Sequence, residues 1–91
     1  MAFEGMDVEA VRSLAGQLHN QAGQIQSVVN QINGLIGQLE SAWQGPDATE
    51  FRGWWESQHR PHLMACHDAI DGLHQSALNN AMQQEQASRP V

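Results

Sequence analysis

The chain has 91 residues, a net charge of −6, one cysteine and no lysine. That sets the ceiling at one domain and leaves no intrachain disulfide framework. The only fixed positive charges are Arg12, Arg52, Arg60 and Arg89, and the acids are dispersed. The chain therefore offers no basic face for nucleic acid or for an anionic membrane surface.

The N-terminal "MAFEGMDVEA" carries acids where a signal peptide needs bases, and no apolar h-region follows. No apolar run approaches the ~20 residues that cross a bilayer. A soluble protein without membrane insertion is expected, and any export would bypass the ordinary signal-peptide route.

From Val8, alternate steps of three and four residues reach Val11, Ala15, Leu18, Ala22, Ile25, Val29, Ile32, Ile36, Leu39 and Trp43. Every member is apolar, which predicts a coiled-coil-like helix over about 7–43. Leu14, Val28, Leu35 and Ala42 widen the stripe to about 120°, which suits a helical bundle better than a two-stranded seam. Gln17, Gln24, Gln31 and Gln38 form a line on the polar side. Asp7 is placed to N-cap, and Met6 to staple onto Val11.

Gly16, Gly23 and Gly37 share one line of this helix, which leaves two readings open. A second helix approaches closely there, or the apolar face simply tolerates the weakness. "QINGLIG" contains an Asn-Gly pair that also reads as a turn, but the heptad runs through it without slipping.

"WQGP" ends the first helix, with the turn expected at 44–46. Glycine suits the position after a helix end, and proline suits the first position of the next. The second helix, about 46–85, carries Phe51, Trp54, Trp55, Leu63, Cys66, Ile70, Leu73, Ala77 and Ala81 as its apolar series. The steps change phase near Pro61, where a bend is expected. Residues 86–91 have no face to bury and read as a flexible tail. The expected fold is therefore all-α, an antiparallel two-helix hairpin whose half-wet stripe pairs with a second hairpin into a four-helix-bundle dimer. Leu18, Ile25, Val29, Ile32, Ile36, Leu39, Trp54, Trp55, Ile70 and Leu73 are its expected interface residues. Trp43 and Trp55 are expected to plug the hairpin's end, and one of the adjacent Trp54 and Trp55 to lean outward.

His62, Cys66, His67 and His74, with Asp71, fall on helical faces at spacings a metal could use. No zinc signature accompanies them, so no metal or other cofactor is assigned. The bland readings are solvent-facing histidines and, for Cys66 in the apolar series, a buried small hydrophobe. No nucleophile–base–orienter set is visible, so an enzyme is not expected.

Trp43-Gln44-Gly45 between two similar helical segments resembles the WXG-type, early-secreted-antigen-like family of Actinobacteria and Firmicutes. The stretch "PDATEFRGWW" looks like its actinobacterial members. The resemblance covers essentially the whole chain. It implies a small protein, cytoplasmic at first, then exported folded as a homodimer or heterodimer by the membrane-bound ATPase machine of type VII secretion. Outside the cell it would act as effector, partner or escort of another substrate. The resemblance also implies a composite export signal, made of Trp43 and Gly45 in the turn of one partner and an acidic tail motif of the other. Glu85 matches the acidic position of that motif, but Ala81 stands where the family has tyrosine. The competing reading is an intracellular, metal- or pH-responsive helical adaptor.

Overall fold

A computed structural model describes residues 6–43 and 45–87. All regular structure among them is helical: α1 (Val8–Ala42), α2 (Pro46–Trp54), a π-helical turn (Trp55–His59) and α3 (Arg60–Ala87). α1 forms the outgoing arm, and the other three form one continuous return arm. Pairs across the hairpin run in opposite order on the two arms: Arg12 with Glu85, Ala15 with His74, Asn33 with Trp55, Glu40 with Arg52. The extents of 70 × 21 × 17 Å are those of two helices lying side by side. α3 runs through Gln86 and Ala87. The rest of the expected tail, 88–91, and Gln44 of the expected turn lie outside the described residues.

α1 begins where its capping chemistry dictates. The Asp7 carboxylate accepts from the Ala10 N–H at 3.2 Å, and Glu9 places negative charge in the first turn. The helix passes unbroken through Asn33-Gly34. A Cβ added at Gly16, Gly23 or Gly37 would meet nothing within 4 Å, so the hairpin itself makes no close approach along this line. Gly23→Ala should therefore stabilise the hairpin by about 0.5–1 kcal/mol through lost unfolded-state entropy. Urea unfolding midpoints measure this, and a lower midpoint would mean that something outside the hairpin packs on the glycine line.

The return arm changes helical phase at the π turn. There the Arg60 N–H bonds to the Trp55 carbonyl, five residues back. Pro61 explains the position. It has no N–H to give, and in an α-helix its ring would press on the Ser57 carbonyl. A widened turn just before it accommodates both problems and inserts one residue into the helical register. The Ser57 hydroxyl donates to the Gly53 carbonyl at 2.7 Å within the same stretch.

That extra residue rotates α3 relative to the series read from the sequence. Ala48 and Trp55 are buried toward α1 before the π turn, and Ala81 after it, in line with half-buried His67 and His74. Twelve residues separate Trp55 from His67, where three α-helical turns take about eleven. Leu63, Ile70 and Ala77 become half-buried flanks, while Cys66 and Leu73 are exposed. The expectation that Cys66 is a buried small hydrophobe is therefore corrected: its thiol is free and exposed within the hairpin.

The hairpin's own core is thin. Ala15, Ala22, Val29 and Ile36 of α1 are buried against Ala48, Trp55 and Ala81 of the return arm. The alanines let the arms approach at the open end. Val29, Ile36 and Trp55 form the thickest cluster nearer the turn, with Ile25, Ile32, Leu63 and Met64 packed on it.

Candidate functional site

The turn is built around one backbone conformation. Gly45 has φ 121° and ψ 174°, a region essentially closed to residues with a side chain. It reverses the chain between Trp43, whose N–H closes α1 on the Leu39 carbonyl at 2.8 Å, and Pro46 at the start of α2. One turn into α2, Phe51 meets the Trp43 ring at a centroid distance of 5.8 Å and an interplanar angle of 52°. This tilted pair stays open to solvent, with Trp43 41% exposed. Trp55 does the opposite. It is 6% exposed, and its indole N–H donates to Asn33 Oδ1 at 2.6 Å.

The long sides of the hairpin differ in character. On α1, the buried line of Ala15, Ala22, Val29 and Ile36 is flanked on one side by Arg12, His19, Gln26, Asn33 and Glu40. These meet the return arm through polar contacts: Arg12 with Glu85, His19 Nδ1 with Asp71 Oδ1 at 3.4 Å, and Arg52 on both Glu40 oxygens at 3.1 and 2.9 Å. The ion pairs are half-exposed and worth little in stability; their contribution is to register.

The other flank of the same line holds Leu18, Ile25, Ile32 and Leu39, and beyond them Leu14, Val28 and Leu35. Leu14 is 58% exposed and Leu35 56%. In antiparallel helices, corresponding flanks fall on the same side. The return arm accordingly adds Phe51, Trp54, Cys66 and Leu73 to this face. Of the exposed large hydrophobics among the described residues, all but Met82 and Trp43, which stands at the turn, lie here. α1's charged residues, by contrast, lie on the polar flank and beyond it, and so do Arg60, Asp68, Asp71 and Glu85 of α3. The rim of the apolar face on α1 is the ladder Gln17, Gln24, Gln31 and Gln38.

The expected interface residues divide accordingly. Val29, Ile36 and Trp55 are used inside the hairpin. Leu39, Trp54 and Leu73 stand exposed on the apolar face, with Leu18, Ile25, Ile32 and Ile70 half-buried along it. Leu14, Val28, Leu35 and Phe51 belong to the same face and were absent from the expected interface. The signal for the first three was their shared line beside the heptad. Trp54, 50% exposed, is the outward member of the Trp-Trp pair.

The candidate metal ligands are not gathered. His62 and Cys66 are exposed. His67 Nδ1 lies 2.9 Å from Asp68 Oδ1, and the His74 Nδ1–H donates to the Ala15 carbonyl at 2.7 Å while its ring lies 4.9 Å from that of His19. No group of three His, Cys, Asp or Glu among the described residues is arranged to hold a metal ion. Glu85, the acidic tail match, is ion-paired to Arg12 at the open end of the hairpin.

No helix of the described residues is long and apolar enough to cross a membrane. No curated protein sequence matches the chain. Among solved structures, the secreted protein EsxB from Bacillus anthracis str. Sterne is similar at 26% identity and a TM-score of 0.85, over 98% of this chain and 100% of that one. A glutamate-to-glutamine variant of the same EsxB is similar at 25% identity and a TM-score of 0.85, over 100% and 99%. The family described as WXG100, "Proteins of 100 residues with WXG", matches residues 5–88. With Trp43-Gln44-Gly45 at the reversal of a two-arm helical hairpin, the chain belongs to the WXG100 family.

Proposed function

We propose that this hairpin is a type VII secretion substrate, exported folded as a dimer, which serves as partner or escort of another exported protein through helix–helix contacts. The observation that carries the reading is the one-sided apolar face, which leads at one end to the exposed Trp43–Phe51 pair of the turn. Side chains such as Leu14, Leu35 and Leu73 each gain roughly 1.5–3 kcal/mol when fully buried, and the thin core of a single hairpin leaves that gain unused. A second hairpin laid on the face collects it and closes a four-helix bundle. Trp43 and Gly45 then supply the turn half of the export signal read by the secretion ATPase.

The match to EsxB, a secreted protein by its description, supports export. In a bacterium with a type VII system, the epitope-tagged chain should accumulate in the culture filtrate. It should stay in the cells when the secretion ATPase is deleted. Undiminished export from the deletion strain, with a cytosolic marker retained, would refute this route.

A further inference from the structure

α1 carries a glycine that packing within the hairpin does not require. Gly34 lies inside the helix, its φ is not positive, and a Cβ built on it would meet nothing within 4 Å. Glycine there weakens the helix relative to alanine. It follows Asn33, and the two form the one Asn-Gly step of the chain. That step carries a chemistry of its own, because no side chain on the glycine hinders its nitrogen from approaching the asparagine carboxamide.

In an open chain the Gly34 backbone nitrogen attacks Asn33 Cγ. The new C–N bond closes a succinimide ring, and the carboxamide nitrogen leaves as ammonia with the proton given up by Gly34. Water then opens the ring at one of its two carbonyls. One product is an aspartate at position 33. The other is an isoaspartate, whose main chain runs through the former side-chain carbonyl and is longer by a methylene. Water is the only co-reactant, and nothing is oxidised or reduced.

The hairpin withholds each requirement of that ring closure. α1 runs unbroken from Val8 to Ala42, so the Gly34 N–H is committed to the carbonyl four residues back. The helix also fixes ψ at Asn33, whereas ring closure needs the chain free to rotate there. The carboxamide is held as well. Its Oδ1 accepts the Trp55 indole N–H at 2.6 Å in a part-buried contact, which ties the group across to the return arm.

We propose that Asn33-Gly34 is a fold-gated modification site, locked in the hairpin and reactive in the open chain, so that residue 33 records time spent unfolded. The two products differ in what they do to the fold. The aspartate keeps the main chain, and its carboxylate still accepts the Trp55 N–H, in a hollow lined by Arg52 and Arg60 as well as Glu40 and Glu56. The isoaspartate interrupts α1 between Val29 and Ile36, which form the thickest part of the core with Trp55. A chain modified that way cannot rebuild the cluster, and its unfolding becomes irreversible.

The proposal is independent of export and is tested on the purified full-length chain. Samples are held at neutral pH with and without unfolding urea. Peptide mass mapping follows residue 33 and separates aspartate from isoaspartate by retention. Conversion in urea should run at least about tenfold faster than in buffer, since reaction through an open state tracks the population of that state. Asn20, Asn30, Asn79 and Asn80 are followed by bulkier residues and should convert far more slowly in both samples. Gly34→Ala should fold and should suppress the conversion in urea. After dilution from urea, the aspartate fraction should regain the helicity of Asn33→Asp, and the isoaspartate fraction should not. Trp55→Phe should speed conversion more than Ala81→Gly, a variant weakened far from residue 33, when the two are compared at equal unfolded fraction.

Equal rates with and without urea would overturn the gate. Conversion at the other asparagines as fast as at Asn33 would overturn the site. An isoaspartate chain that regained full helicity would overturn the irreversibility, and equal rates for Trp55→Phe and Ala81→Gly would remove Trp55 from the lock.

Discussion

Trp55→Ala is expected to cost about 3–5 kcal/mol of unfolding free energy, the range for removing a fully buried tryptophan. Trp54→Ala should cost less than about 1 kcal/mol in the isolated hairpin. The two residues are neighbours of identical chemistry, so the contrast isolates burial. Trp55 sits against Val29 and Ile36 in the thickest part of a thin core, and its indole N–H is held by Asn33. Its loss opens a cavity and leaves the Asn33 carboxamide without that partner. A domain of this size has a total stability in the low part of the 5–15 kcal/mol range, so much of the Trp55→Ala population should be unfolded at 37 °C. Trp55→Phe separates the two contributions. It keeps most of the packing and loses the hydrogen bond, worth roughly 1 kcal/mol. Urea midpoints give the comparison at a protein concentration where light scattering shows a monomer, because any self-association makes the midpoint concentration-dependent. Equal losses for Trp54→Ala and Trp55→Ala would show that the partition between core and apolar face is wrong.

This contrast also marks where sequence reasoning reaches its limit. The all-α hairpin was legible because α1 keeps an unbroken heptad from Val8 to Trp43 and because Gly45-Pro46 carries its own stop-and-start chemistry. That one of Trp54 and Trp55 must face outward followed from their roughly 100° separation on a helix. Which one does so depends on the register of α2 against α1, fixed by contacts such as Arg52 with Glu40.

On α3 the apolar series was legible but its direction was not. Leu63, Cys66, Ile70 and Leu73 mark an apolar arc that looks like the side facing α1. The π turn before Pro61 adds one residue and swings that arc to the flank, placing His67 and His74 in line with Ala81 instead. A histidine in that position has no apolar signature. His74 is accommodated because a backbone carbonyl, that of Ala15, accepts its Nδ1–H, and no side-chain pattern reports a backbone acceptor. Cys66 was misplaced for the same reason.

On the proposed reading of the chain as an exported dimer, Trp43→Ala is expected to reduce export by about tenfold or more while leaving the hairpin and the dimer in place. Trp43 closes α1 through its backbone, which alanine retains, and its half-exposed ring contributes mainly the contact with Phe51, worth about 0.5–1.5 kcal/mol beyond burial. The structural cost is therefore small, and the exposed ring stays accessible to the secretion ATPase of the proposed route. Gly45→Ala is the necessary companion. Its φ of 121° makes any side chain cost about 1–3 kcal/mol of strain, so it reshapes the turn while leaving the Trp43 side chain chemically intact. If the machine reads the ring in its place beside Phe51, Gly45→Ala lowers export as Trp43 shifts, and Trp43→Phe restores part of what Trp43→Ala loses. Export should be measured as filtrate signal per folded protein in the cell, with dimer mass and helicity taken on the same variants. Wild-type export of Trp43→Ala would remove the turn from the signal. Export that fell only in step with helicity or dimer mass would reduce Trp43 to a packing residue.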